Sequence, residues 1–256
     1  MKAGRAARGV LVPAGLDLGR LGRAVRELPR FALDFRAYSA ACRAAGVPPP
    51  ALSDLYPMLA DRGQESAAIR DHYFWQDLWA ARKIYAAAPN EHFDIGSRVD
   101  GFILALLAFR QVTVIDIRPL PVPVTGLRFV RADASSLDQF PDGSVESISS
   151  LHAVEHFGLG RYGDPLDPAG SMRAMKELAR VCRRGGRVYF SVPVGRQRTC
   201  FNAHRVFSPD AVVDAFGDLD LVSFAGFNDG EFVASAAPRD FASANYACGM
   251  FEFTRR

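Results

Sequence analysis

Apolar positions in the first sixty residues recur at three- and four-residue steps. Leu18, Leu21, Val25 and Leu28 form one stripe, and Phe31, Phe35 and Tyr38 form another after Pro29. The spacing predicts two consecutive helices, with Pro29 in the first turn of the second. Val47-Pro48-Pro49-Pro50 cannot be helical and reads as a stiff linker. From about Asp71 the pattern changes to short apolar runs alternating with helical stretches. A helix over 72–88 carries Tyr73, Phe74, Trp75, Trp79 and Tyr85. Strands are expected at 92–95, 112–116, 127–132, 145–151 and 187–192, with two more at 219–224 and 248–253. Apolar helical spacing lies at 102–109 and 171–182, the latter closed by Arg183-Arg184-Gly185-Gly186. Strands separated by helices predict a parallel sheet with helices on both faces and right-handed crossovers. The expected fold class is therefore α/β: a doubly wound, mostly parallel seven-stranded sheet over 58–256, with a helical N-terminal extension and linker over 1–57.

Composition narrows this little. The chain has 256 residues, 49% hydrophobic and 23% charged, which suits a globular protein able to bury a core without disulfide or metal staples. A net charge of +3 is too small to imply a nucleic-acid partner. Its distribution is uneven: residues 1–43 hold nine basic residues against Asp17, Glu27 and Asp34. Basic residues beside an apolar stripe permit peripheral membrane or partner contact; the plainer reading is a helix packed on the main domain with arginines in water. Cys42, Cys182, Cys200 and Cys248 lie far apart, without metal-ligand spacing, and read as reduced thiols in a cytoplasmic protein with no metal site. No apolar run reaches the ~18 residues of a membrane span. Pro13 and Gly15 interrupt the only candidate for a secretion signal.

In an open α/β sheet, ligands sit outside the carboxyl ends of the strands. The first strand ends Asp94-Ile95-Gly96-Ser97-Arg98-Val99-Asp100-Gly101, where a glycine turn and a helix start can approach a ligand closely. The second ends in Asp116, near the ~20-residue offset at which an acid takes up ribose hydroxyls. The third ends at Asp133, which can accept from an exocyclic amine. Asp is also a common helix cap after strands, which suits Asp94 and Asp133 taken singly. Three acids at successive strand ends point to a nucleoside-containing cofactor. G-x-G-x-x-G is absent, which argues against a nicotinamide dehydrogenase. S-adenosyl-L-methionine has no phosphate and needs only a looser turn. Arg98 can meet its carboxylate or remain a solvated turn residue.

On these residues the chain resembles the class I S-adenosylmethionine-dependent methyltransferases over roughly residues 70–256. Asp94-Ile95-Gly96 is similar to the family's acidic-glycine motif, Asp116 to its ribose acid and Asp133 to its adenine acid. Gly185-Gly186-Arg187-Val188-Tyr189-Phe190 is similar to its turn into strand five. The family's other usual glycine positions hold Arg98 and Asp100. The resemblance implies cofactor contacts from Asp94, Gly96, Ser97, Arg98, Asp116, Ile117, Asp133 and Ala134. Longer motifs (His72-Tyr-Phe-Trp-Gln76, Leu151-His-Ala-Val-Glu-His-Phe-Gly-Leu-Gly-Arg-Tyr-Gly-Asp164 and Phe201-Asn-Ala-His-Arg205) resemble an uncharacterised bacterial family of this fold, which implies a link to surface polysaccharide biosynthesis.

Methyl transfer is an in-line displacement, and an oxygen nucleophile also needs a base. The segments after strands four and five hold His152, Glu155, His156, Tyr162, Asp164, Asn202, His204 and Arg205. His204, and then His152, are the candidate bases. Glu155, Tyr162, Asn202 and Arg205 are candidates for binding a small-molecule or glycan hydroxyl acceptor. Loop-bracing hydrogen bonds remain the alternative for His204 and Arg205, and helix packing for His156. Asp164 with Asp167 makes only a weak Mg²⁺ pair. The aromatic helix can be core or pocket wall. The same fold kept as a non-catalytic binding module is the rival function.

Overall fold

The computed structural model describes residues 18–59, 71–120 and 123–256. The chain comprises two compact units, Met1–Ala68 and Ile69–Arg256. In the first, helix α1 (Leu18–Ala44) runs unbroken through Pro29, so the two expected helices are one. The proline removes a single hydrogen bond while its own φ is helical, and the apolar spacing resumes on both sides. The helix stops where Gly46 turns left-handed (φ 68°). There the Gly46 and Val47 N–H groups donate back to Arg43 and Cys42 carbonyls at 3.3 and 2.9 Å, a Schellman closure. The proline run that follows is non-helical, as its chemistry requires, and leads into a 3₁₀ turn at Leu52–Asp54. Residues 1–17, the start of the basic region 1–43, lie outside the described residues. So does part of the proline run at 119–123. Among the described residues no helix is long and apolar enough to cross a membrane.

The second unit opens with helix α2 (His72–Ala87), capped by Asp71, whose side chain accepts the Tyr73 N–H at 3.2 Å. Strands β1 (His92–Ile95), β2 (Val112–Asp116), β3 (Leu127–Arg131), β4 (Val145–Leu151) and β5 (Cys182–Val194) follow. Between β1 and β2 a π-helical segment, Val99–Ile103, continues into α3 (Leu104–Leu107). Helix α4 (Gly170–Val181) precedes β5. After β5 come a two-stranded ribbon of β6 (Arg198–Cys200) and β7 (His204–Val206), helix α5 (Pro209–Ala215), and strands β8 (Asp220–Asn228), β9 (Glu231–Val233) and β10 (Ala247–Thr254).

The main sheet has the order β3-β2-β1-β4-β5-β10-β8-β9. Strands β3 to β5 along this order are parallel, and β10 runs antiparallel between β5 and β8. This is the expected doubly wound, mostly parallel α/β sheet. Its seven anticipated strands become eight because the chain folds back at Asp229-Gly230, both at positive φ, and adds β9 to the edge. Strand β5 also starts five residues earlier than the Gly185-Gly186 turn suggests. Cys182 already pairs with Val145, and a register shift before Ser147 absorbs the two glycines within the strand.

Each sheet face carries its own core. On one, Ala174, Met175 and Leu178 of α4 and Val212 of α5 pack with Phe190, Phe251 and Phe253. On the other, Trp79, Ala80 and Ile84 of α2 and Leu106 of α3 pack with Val114, Tyr189 and Met250. Gly226 and Gly249 face each other across β8 and β10, and a Cβ on Gly226 would overlap the Phe241 ring, which is itself packed edge-on against Phe224. Gly226→Ala is therefore expected to destabilise the unit by about 1–3 kcal/mol, read as a lower denaturation midpoint. An unchanged midpoint would show that the Phe241 ring gives way.

Candidate active site

Strand order reverses between β1 and β4, and the crevice of such a sheet opens outside the strand ends at that point. A cavity of about 530 Å³ lies there, walled by the ends of β1 to β4 and the first turns of α2. Beneath it sits Asp94, fully buried. Its carboxyl accepts the Ser97 N–H and hydroxyl at 3.0 and 2.9 Å and the Ser149 hydroxyl at 2.5 Å. Burial pushes this carboxyl up to about 7, against the pull of those hydrogen bonds. Gly96 at the turn has φ 69°, and a Cβ there would come 2.9 Å from the Ala153 Cβ. Only glycine satisfies both demands. Arg98 and Asp100 pair with each other at 3.0 and 2.7 Å and are exposed on the rim.

The Asp116 carboxylate is held by one neighbour. Arg118 donates its backbone N–H and Nε to Oδ1 at 2.8 and 3.0 Å and a terminal nitrogen to Oδ2 at 2.6 Å. The same guanidinium lies over the Tyr162 ring, 4.6 Å from its centre. Asp133 uses Oδ1 for the Ser135 N–H and hydroxyl, both at 2.8 Å, and Oδ2 has no protein partner among the described residues. Gly96, Ser97, Arg98, Asp116, Ile117, Asp133 and Ala134 all border the cavity, as do His152, Glu155, Tyr162 and His204.

Asn202 and Arg205 do not border it. Asn202 occupies a left-handed position (φ 61°) between β6 and β7. Arg205 is buried and donates to the Phe157 carbonyl, the Ser171 hydroxyl and the Asp167 carbonyl at 2.5, 2.7 and 3.4 Å. It fastens the loop after β4 to α4, which is the bracing alternative. Asp164 is likewise used within that loop, accepting N–H groups of Gly158 and Tyr162 at 2.6 and 3.2 Å, and Asp167 pairs with Arg173.

The far end of the cavity is a cluster of uncharged polar rings. His152 follows the last residue of β4 with φ 49°, a strained conformation for a residue with a Cβ. Its ring stacks on His72 at 4.4 Å and meets Tyr73 edge-on at 5.7 Å. Burial, reinforced by His72, His156 and His204, holds it well below the ordinary histidine range. Among the described residues its Nε2 has no partner. His156 donates Nδ1–H to the Ala203 carbonyl at 2.6 Å, and burial lowers it to about 4. Glu155 is buried, its Oε2 unpartnered, its Oε1 3.5 Å from His156 Nε2. Desolvation raises its carboxyl to about 8, so it is protonated at neutral pH. His204 meets Tyr246 edge-on at 5.2 Å.

Sequence reasoning passed over Gln76, Asp77, Arg118, Arg161 and Tyr246, which also border the cavity. The first turns of α2 supply a wall through Tyr73, Gln76 and Asp77 while its later turns are core, so both readings of the aromatic helix hold at once. The signal for Gln76 was a lone amide within an aromatic run. Tyr246 carried none.

Comparison with known proteins follows this geometry. A family model described as Caenorhabditis protein of unknown function, DUF268, matches residues 133–229. No curated protein matches the chain. Among solved structures, the N-methyltransferase NodS of Bradyrhizobium japonicum WM9, in complex with S-adenosyl-L-homocysteine, is 15% identical, with a TM-score of 0.51 over 75% of this chain and 89% of that one. The YcgJ protein of Bacillus subtilis is 17% identical, with a TM-score of 0.50 over 71% of this chain and 98% of that one. The fold is the class I methyltransferase-like Rossmann fold.

Glu155 yields a prediction. Its folded carboxyl titrates above its unfolded one, so the folded state holds a proton that the unfolded chain releases, and stability falls from pH about 4.5 to about 8. Glu155→Gln removes this loss. The thermal midpoint of the variant should gain on that of the native protein between pH 5 and pH 8. A constant difference across that range would reject a buried, protonated Glu155.

Proposed function

We propose that the protein is an S-adenosyl-L-methionine-dependent methyltransferase acting on a hydroxyl of a small-molecule or glycan acceptor. The observation that carries this is the cavity at the strand-order reversal, where the β1 glycine turn, Asp116 and Asp133 stand at three successive strand ends. The residues present fit the cofactor. Gly96 keeps the turn open where a Cβ would fill it, and Asp133 Oδ2 is free for an amine. Asp116 would take the ribose, Asp133 and Ala134 the adenine, Ile117 its apolar face, and Gly96, Ser97 and Arg98 the methionine end. Asp77, a half-buried carboxyl beside Gly101, adds an acid for the amino group.

When bound, the cofactor supplies an electrophilic methyl group on a sulfonium. The chain's own residues do the rest. His152, on the cavity wall, would receive the proton that the acceptor's hydroxyl gives up. Its partnerless, strained position favours it over His204 as base. Glu155 and Tyr162 border the same cavity as His152 and would contact the acceptor. Asn202 and Arg205 act by shaping the adjoining loops. The four free thiols suit a cytoplasmic setting, and the longer motif resemblance supports a place in surface polysaccharide biosynthesis.

A second reading has its own observation. Both Asp116 oxygens are already engaged by Arg118, as in a methyltransferase-like module that no longer takes the cofactor. Calorimetry with S-adenosyl-L-methionine and S-adenosyl-L-homocysteine separates the two. The enzyme reading expects heat with both, its loss in a folded Asp116→Ala variant, and retained binding in His152→Gln. Absence of heat in the native protein would favour the module, and undiminished affinity in Asp116→Ala would refute the assigned pose. Once an acceptor is found, His152→Gln should lower kcat by roughly 10²–10⁴-fold.

A further inference from the structure

Three buried side chains from three elements form a directed chain behind the cavity. Gln76 of α2 donates its amide Nε2 to Asp77 Oδ1 at 3.2 Å, which turns its carbonyl Oε1 toward the sheet. Ser191 of β5, fully buried, donates its hydroxyl to that carbonyl at 2.7 Å. A carbonyl oxygen only accepts, so the serine proton is committed. The Ser191 oxygen then faces His152 Nδ1 at 3.1 Å and can only accept from it. His152 must therefore carry its proton on Nδ1, and its buried, unpartnered Nε2 is a bare lone pair.

We infer that Gln76 and Ser191 are positioning residues that lock His152, a residue of the cavity wall, as the Nδ1–H tautomer with an unprotonated Nε2. The lock itself follows from hydrogen-bond direction alone. Its use in methyl transfer rests on the function proposed above. The chain runs on from the amide to the Asp77 carboxyl, three hydrogen bonds from the ring, and among the described residues the ring itself has no ion-pair partner. The titratable groups around the ring give none either. They are His72 and Tyr73 of α2, His156 after β4, His204 of β7 and the Cys248 thiol of β10, whose sulfur is 4.0 Å from Nδ1. The thiol is buried and pushed well above its ordinary range, hence uncharged. The arrangement makes a base that is neutral over a wide pH range and gives up its proton readily.

Long-range ¹H–¹⁵N correlation spectra of the full chain labelled on histidine test this without any acceptor. His152→Gln assigns the His152 signals by their loss. The native ring should show a protonated Nδ1 and a bare Nε2; an Nε2–H ring or an even mixture would overturn the lock. Ser191→Ala and Gln76→Leu, checked for folding by circular dichroism, should move His152 toward a tautomer mixture. Gln76→Glu should restore the Nδ1–H form and raise the titration midpoint of His152, because a carboxylate then stands two hydrogen bonds away, through Ser191. A folded Ser191→Ala that kept the native tautomer would refute the relay. Calorimetry with S-adenosyl-L-methionine on the same native sample keeps the two claims apart. No heat with the tautomer intact overturns its role in methyl transfer, while heat with the wrong tautomer overturns the lock alone.

Discussion

The molecule is organised around one carboxyl without water. Asp94 ends β1, and the Ser149 hydroxyl that it accepts belongs to β4, its neighbour across the strand-order reversal. With that hydroxyl committed to Asp94, Ser149 accepts from His92 Nε2 at 3.0 Å, and His92 Nδ1 in turn accepts from Ser147 at 2.7 Å. Every donor in this buried run points toward the carboxylate. A polar chain in a low-dielectric interior tolerates little misalignment, because each lost partner leaves a desolvated group. Sliding β4 by one residue would carry Ser149 away from Asp94 and turn the strand's faces over. The same carboxyl holds Ser97 through two hydrogen bonds, and so sets the Gly96 turn that forms the floor of the cavity. Strand register and site geometry thus rest on one buried group.

From this floor the two ends of the cavity diverge in chemistry. One is bordered by Asp77, Asp116 and Asp133, with arginines on the rim. At the other, burial keeps Glu155 protonated and His152 and His156 uncharged. Environments that push titratable groups in opposite directions create acid and base roles from ordinary side chains. An imidazole that keeps its lone pair and a carboxyl that keeps its proton, both bordering this end of the cavity, would suit a neutral hydroxyl acceptor on the function proposed above. On that same reading they would hold polar groups without placing net charge near the donor's sulfonium.

Most of this frame was legible in the sequence because it follows local periodicity. The strand cores at 92–95, 112–116 and 145–151 coincide with apolar runs, and the acids at the ends of β1, β2 and β3 fall at the sheet's carboxyl edge. What escaped depends on partners distant in sequence. Arg205 looks like a ligand-binding cation, yet its donors are spent on carbonyls of residues 157 and 167, which no motif reveals. Gln76 and Ser191 meet across 115 positions of chain. Arg98 and Asp100 stand where family glycines would, and they cancel each other's charge on the rim. Pro29 illustrates the opposite error: a strong local rule yielded to a helix that continued on both sides of it.

Whether Asp116 can still receive a ribose turns on the strength of its pairing with Arg118. Three Arg118 donors occupy three of the roughly four lone-pair sites of the carboxylate, leaving too few for a diol. The backbone N–H must stay, but the guanidinium need not. The Arg118 side chain is 49% exposed, and ion pairs of that kind contribute only about 0–1 kcal/mol. Hydroxyls donating to a carboxylate are each worth about 1.5–3 kcal/mol. Displacing the guanidinium toward water is thus the smaller cost. Tyr162, over which the guanidinium lies, belongs to the glycine loop after β4, so a shift of Arg118 would be felt at the acceptor end. The pairing that at first favours an inactive module is therefore weak enough to yield to a ligand, and it links the two halves of the cavity.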